Sequence, residues 1–152
     1  MAPKKAIKKV AKKTPKKAVK KKAKTKNKKA QRSTAPNPYR DIAIMAAYAA
    51  AEKKGVDITV LDLHEASDVA DFVVIVSAES SAQLGALERS VEDELRLQGH
   101  RPIRRDGRPR DRWIAIDYGA VMVHLLLVDA REFYRLDHVW ETAEKVKWDK
   151  KK

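Results

Sequence analysis

The chain has 152 residues, with 34 Lys or Arg against 21 Asp or Glu and no cysteine. That length suits one ordinary domain, and the missing cysteine excludes disulfides, thiolate metal sites and cysteine nucleophiles. The net charge of +13 is unevenly placed: residues 1–40 hold fifteen Lys, two Arg and no acid, a charge of +17, which leaves 17 − 21 = −4 on residues 41–152.

Residues 1–36 are rich in Lys, Ala, Pro and Thr, with only Ile7, Val10 and Val19 as larger aliphatics. Such a segment cannot bury enough apolar area to offset its ordering entropy and is expected to stay disordered. Its Lys-Lys-Ala units, broken by Pro3 and Pro15, resemble histone-H1-like basic tails. Two readings follow: a solvated extension, or a non-specific phosphate-binding arm using Lys4, Lys5, Lys8, Lys9, Lys12, Lys13, Lys16, Lys17, Lys20, Lys21 and Lys22. Lysine with proline argues against a transit peptide, and no apolar run reaches membrane-spanning length, so a soluble, cytoplasmic protein is expected. His64, His100, His124 and His138 share no short ligand spacing, so neither a metal nor another cofactor is expected.

The folded part is expected over residues 37–148. Asn37 can cap a helix with Pro38 at its first position, running to Lys54 and stopping at Gly55. Ile42, Met45, Ala46, Ala49 and Ala50 then form a narrow, alanine-rich face able to approach a sheet closely. Ile58–Leu63 and Phe72–Val76 read as short buried strands. Ser80 and Gln83 have the spacing of a capping box, and Leu84, Leu87, Val91 and Leu95 follow the helical period to Gly99.

Pro102–Arg105 is a weak strand and Trp113–Asp117 a strong one, separated by the polar turn Asp106-Gly107-Arg108-Pro109. A tight connection at Tyr118-Gly119 returns the chain into Val121–Val128, apolar on both pleat faces apart from His124 and therefore interior to the sheet. Asp129 and Glu132 repeat the capping-box spacing, predicting a last helix from Ala130 to about Val146. Phe133, Leu136, Trp140 and Ala143 form its docking stripe, while Tyr134, Asp137, His138 and Glu141 lie on the flank. The expected class is α/β (α+β), a mixed sheet of about five strands covered by helices in the order α-β-β-α-β-β-β-α.

These segments together are similar to the ribosomal silencing factor, or Iojap-like, family over Pro38 to Trp148. The likeness is carried by Val60-Leu61-Asp62-Leu63, by Asp71-Phe72-Val73-Val74-Ile75 with Ser80 and Gln83, by the Trp113–Gly119 strand and turn, by His124, and by Arg131-Glu132-Phe133-Tyr134 with Leu136 and Trp140. The resemblance implies a nucleotidyltransferase-like fold and a non-enzymatic protein. It also implies binding to the large ribosomal subunit through ribosomal protein fourteen, obstruction of small-subunit docking, repression of translation, and a homodimer when free.

Ala120 stands where the family usually has an acid, Asp137 where Glu is usual, Leu126 where Phe is common, and Ser77-Ala78 where Thr-Gly is typical. Candidate partner contacts are Trp113, Asp117, Tyr118, Arg131, Tyr134, Asp137, His138 and Glu141, since large aromatics near a surface anchor interfaces and acids suit a basic ribosomal protein. The basic tail suits nearby ribosomal RNA.

His124 has two readings, a hydrogen-bonded core histidine or a functional base; Asp117 can hold the Gly119 turn, pair with His124, or meet a partner. Two rival functions differ in class. A nucleotidyltransferase needs converging carboxylates and a glycine-serine phosphate loop, but Ser77-Ala78-Glu79-Ser80 has no glycine, and Asp62, Asp71 and Asp117 have no Asp-x-Asp pairing. A nucleic-acid-binding protein acting through its tail would need only the first 36 residues.

Overall fold

The computed structural model describes residues 37–149; the lysine-rich arm and its eleven candidate phosphate contacts lie outside them. Asn37 caps the first helix, α1 (Pro38–Glu52), its side-chain oxygen accepting the Tyr39 N–H at 3.0 Å. Two strands follow, β1 (Val56–Asp62) and β2 (Phe72–Ala78), and then helix α2 (Ser81–Leu97). Ser80 Oγ accepts the Gln83 N–H at 3.1 Å, while the Gln83 side chain reaches back to the Glu79 N–H at 2.8 Å, one residue beyond the expected box partner. The chain continues through β3 (Arg104–Asp106), a 3-10 turn at Pro109–Asp111, β4 (Trp113–Asp117), β5 (Val121–Leu127), α3 (Val128–Tyr134), α4 (Leu136–Val139) and β6 (Glu144–Lys145).

The strands form one sheet in the order β3-β4-β5-β2-β1-β6. Its centre is the parallel pair β2 and β5, in register from Phe72 opposite Val121 to Ala78 opposite Leu127. All seven β2 residues are buried, as a strand covered on both faces requires. β4 pairs antiparallel with β5, Trp113 opposite Leu126 and Asp117 opposite Met122, as the tight connection predicts.

One face of the sheet is covered by α1 and α2. Ala43 and Ala47 join Ile42, Ala46, Ala49 and Ala50 in burial, so the alanine face is wider than its first reading, while Met45 sits half-buried at its edge. These small side chains let α1 lie close over Val60, Val74 and Val76, and Leu84, Leu87, Val91 and Leu95 of α2 are fully buried beside them. The opposite face gathers Leu61, Leu63, Val73, Ile75 and Leu126 under Ala130 of α3 and Leu136 of α4.

The C-terminal region departs from expectation. One helix from Ala130 to Val146 does not form: α3 begins at Val128 and ends at Tyr134, Arg135 takes the left-handed conformation (φ 49°), and only the short α4 follows. The expected Asp129–Glu132 box is absent, with Asp129 accepting its neighbour Ala130's N–H instead. The break has a geometric reason. Arg131 and Asp137 pair at 2.8 Å, yet residues six apart on one helix face different directions and sit about 9 Å apart along its axis.

A sixth strand replaces the predicted end of that helix. β6 pairs antiparallel with β1, Leu61 opposite Lys145, and the Val146 N–H donates to the Val60 carbonyl at 2.8 Å. Val146 and Trp148 thereby turn into the helix-covered core, where the Trp148 indole N–H donates to the Ile58 carbonyl at 3.2 Å.

Leu136, 6% exposed, docks the broken helix on the sheet. Leu136→Ala is expected to destabilise the domain by about 2 to 5 kcal/mol, as truncation of a packed leucine does. Urea unfolding checks this, and an unchanged midpoint would mean that the C-terminal helices are not seated there.

Candidate functional site

On the sheet face opposite α1 and α2, alternation along β5 places Met122, His124 and Leu126. His124 is 8% exposed and lies between two indoles, with ring centroids 5.8 Å from Trp113 and 5.9 Å from Trp140. The Trp113 indole N–H donates to His124 Nδ1 at 3.1 Å, which keeps Nδ1 unprotonated and puts the neutral ring's proton on Nε2. Burial pushes the His124 pKa down to about 4. Its neutral state and its bond therefore agree.

From this buried histidine the aromatic chain runs outward. Tyr134 stacks obliquely 4.9 Å from Trp113, and Phe133 meets Tyr134 edge-on at 5.1 Å. Exposure rises along it, to 54% at Tyr134 and 81% at Phe133, with Val139 of α4 also exposed. Phe133, expected in the buried stripe, thus lies outside it. In a helix its neighbours in sequence point about 100° away, so Phe133 and Tyr134 could not both face the sheet. That adjacency was the available signal for an exposed aromatic.

The same segment is acidic. Residues 128–144 contain five acids (Asp129, Glu132, Asp137, Glu141 and Glu144) and two arginines, 2 − 5 = −3. One of those arginines is fully engaged inside the fold. Arg131 donates to both oxygens of Asp137 at 2.9 and 2.8 Å, to the Asp57 carbonyl at 2.6 Å, and to the Ser77 and Thr59 hydroxyls, each at 3.1 Å. Hydrogen bonding from Arg131 lowers the Asp137 pKa from its ordinary value, more than partial burial raises it. Arg131 is accordingly a positioning residue for this face.

The structure brings Trp113, Tyr134 and Asp137 together at the C-terminal helices, with His138 and Glu141 at the rim, 3.6 Å apart and both exposed. It separates the others. Asp117 shares the pleat face of Trp113 at the far end of β4, where its carboxylate accepts the Gly119 N–H at 2.7 Å and so holds the turn. Tyr118 points to the opposite side, half-buried against the α1–α2 core, and burial first, then the charge of Glu92, pushes its pKa up to about 12.

The residues weighed for catalysis are disposed differently. Asp62 hydrogen-bonds His64 Nδ1, Asp71 lies 3.9 Å from His64 Nε2, and Asn37 Nδ2 donates to that same nitrogen at 3.1 Å. Asp117 is engaged at its own turn, and Ser77 is buried under Arg131. Among the described residues no group of three or more His, Asp or Glu is placed to hold a metal ion, and no helix is long and apolar enough to cross a membrane.

The His124 arrangement has a pH consequence. The unfolded chain takes a proton on His124 below its ordinary 6.5, the folded chain only near 4, so stability present above pH 6.5 is lost as pH falls toward 4. The loss amounts to about 3 kcal/mol at most. Asp137, held below its ordinary 3.8, gives up its contribution only further into acid. Unfolding free energies measured down this range are expected to fall more steeply for the wild type than for His124→Gln; superimposable profiles would contradict the buried neutral imidazole.

Residues 35–152 match the family model described as ribosomal silencing factor during starvation. Ribosomal silencing factor RsfS of Bacillus subtilis is 33% identical over 104 residues, covering 68% of this chain and 88% of that protein. The chloroplastic protein Iojap of Zea mays is 33% identical over 101 residues, 66% of this chain but only 44% of that longer protein. A crystal structure of a Chromobacterium violaceum protein superposes with a TM-score of 0.65 at 26% identity, covering 74% of this chain and 92% of that one. With the family model spanning the whole folded part, the chain belongs to the ribosomal silencing factor family, whose role is regulatory and whose partner is ribosome-related.

Proposed function

We propose that the chain docks on the large ribosomal subunit through ribosomal protein fourteen and keeps the small subunit from joining, so repressing translation. The observation that carries this reading is the surface of α3 and α4, where Phe133 and Tyr134 stand exposed in a stretch, residues 128–144, whose five acids outnumber its two arginines. Exposed aromatics are the residue types that anchor protein interfaces, and a net negative rim favours a basic ribosomal protein, mainly by raising the on-rate and excluding wrong partners. Blocking then needs only occupancy. A folded body covering roughly 800 Å² of its partner leaves no second docking surface there. No bond is made or broken, in keeping with the regulatory role of the family.

In this reading Trp113 backs Tyr134 from below, Asp137, His138 and Glu141 form the polar rim, and Arg131 holds the face from inside, whereas Asp117 and Tyr118 lie away from it. The lysine-rich arm adds a sequence-independent hold on ribosomal RNA. The protein acts in whichever compartment holds its ribosomes, and the cytoplasm is the expected one.

Light scattering of purified subunits tests the proposal. Saturating protein is expected to slow subunit joining, and Phe133→Ala/Tyr134→Ala to raise the concentration required by about 30-fold, equivalent to about 2 kcal/mol of lost binding. Both rings project from the surface, so the variant should keep its fold. Asp137→Lys is a poorer probe, because it would set a second cation against Arg131. Joining at an unaltered rate under saturating wild-type protein would overturn the proposal.

A further inference from the structure

We propose that the arginine-rich edge strand β3, with the segments that flank it, is a second docking surface, fitted to the phosphate backbone of ribosomal RNA. It extends the reading above, in that the ribosome is what brings RNA to this surface. Residues 101–112 contain six arginines and two aspartates, 6 − 2 = +4. The rest of the described chain runs the other way: residues 37–100 sum to 5 − 12 = −7 and residues 113–149 to 4 − 7 = −3.

Half of these arginines have internal partners. Arg104 pairs with Asp106 at 3.0 Å, Arg105 with Glu88 and Glu92, and Arg112 with Asp129. Arg108 and Arg110 in the β3–β4 turn, and Arg101 ahead of β3, are exposed and have no ion pair among the described residues; within the turn only Asp111 offers a carboxylate beside Arg108 and Arg110. Another cation adjoins the Pro109 end of the turn. Arg89 Nη1 and the Pro109 ring carbon Cγ lie 3.5 and 3.4 Å from the same point, the place where a side chain on Gly85 would begin. A methyl group at residue 85 would make ordinary van der Waals contact with both.

The turn is fastened rather than loose. Gly107 has φ +88°, and a Cβ there would stand 2.1 Å from the Trp113 carbonyl oxygen, so the hairpin closes tightly on glycine. The Asp111 N–H donates to the Arg108 carbonyl at 2.9 Å, and the Leu127 N–H to the Arg112 carbonyl at 3.0 Å. A rigid base lowers the ordering cost that flexible side chains bring to binding. Through Arg112 and its ion pair with Asp129, the turn also borders the start of α3 and hence the aromatic face. Planar guanidinium groups match phosphate oxygens two at a time, so a cationic edge on an acidic body is complementary to an RNA backbone.

The full chain and its Arg101→Gln/Arg108→Gln/Arg110→Gln variant are to be titrated onto a labelled RNA duplex across a salt series. Removing three phosphate contacts is expected to flatten the slope of log K against log salt by about 2 to 3 and to weaken binding at every salt concentration. Unchanged slope and affinity would overturn the proposal, as would equal weakening toward poly-glutamate, which would assign the surface to an acidic protein. Should the variant fail to fold, ultraviolet cross-linking of the wild-type chain on large subunits decides instead. Ribonucleotide adducts within residues 101–112 are expected; adducts confined to residues 1–36 would refute this edge as a site. Because neither readout depends on subunit joining, failure of the joining block would leave this result standing, and the reverse.

Discussion

A single guanidinium group determines the shape of the C-terminal half. Arg131, its side chain only 12% exposed, ties α3 to α4 through Asp137, to β1 through the Asp57 carbonyl and Thr59, and to β2 through Ser77. The Asp57 carbonyl is available because β1 is irregular there, with its register to β2 shifting between Val56 and Thr59 and Asp57 at φ 47°. A bulge re-aims backbone groups in this way. Asp137 is half-exposed, so the ion pair itself adds modestly. The larger effect is that removing the guanidinium would take the donor from the buried Ser77 hydroxyl, at about 1 to 3 kcal/mol, and from the part-buried Thr59 hydroxyl.

This clamp connects stability to recognition. By holding Asp137 six residues beyond it, Arg131 keeps the chain turned at Arg135, which drives Leu136 into the sheet and leaves Phe133, Tyr134 and Val139 outside. Trp113 and His124 then support Tyr134 from within, joined by an indole-to-imidazole hydrogen bond. The exposed rings therefore stand on a buried polar pair, and a rigid aromatic anchor loses little side-chain entropy when a partner covers it. On the adjoining edge, the fastened turn at Gly107 presents cations by the same means, side chains held on short, well-packed backbone.

Where the period was clean, the sequence was legible. The Asn37 and Ser80 caps, the leucine stripe of α2, the antiparallel β4–β5 pair and the interior position of β5 follow from local pattern and recur in the structure. The C-terminal helix misled because its stripe fits the helical period to Ala143, whereas a contact six residues long, invisible to periodicity, breaks it at Arg135. The sixth strand did leave a trace: Lys145-Val146-Lys147-Trp148 alternates with period two, and its apolar members are the ones that turn inward. Of the candidate contacts, Trp113, Tyr134, Asp137, His138 and Glu141 collect on one side of the sheet. Residue type alone could not reveal that Arg131 is engaged internally or that Tyr118 points to the other face.

Two surfaces of opposite charge thus share one edge of a small domain whose other sheet face is closed by α1 and α2. Under the proposal, the α3–α4 face is the one the ribosome covers. Hydrogen exchange on the full chain, alone and with saturating large subunits, addresses that directly. Backbone amides of residues 128–141 should gain protection while those of α1 keep their free-state rates. Protection centred on α1, with residues 128–141 unchanged, would contradict it.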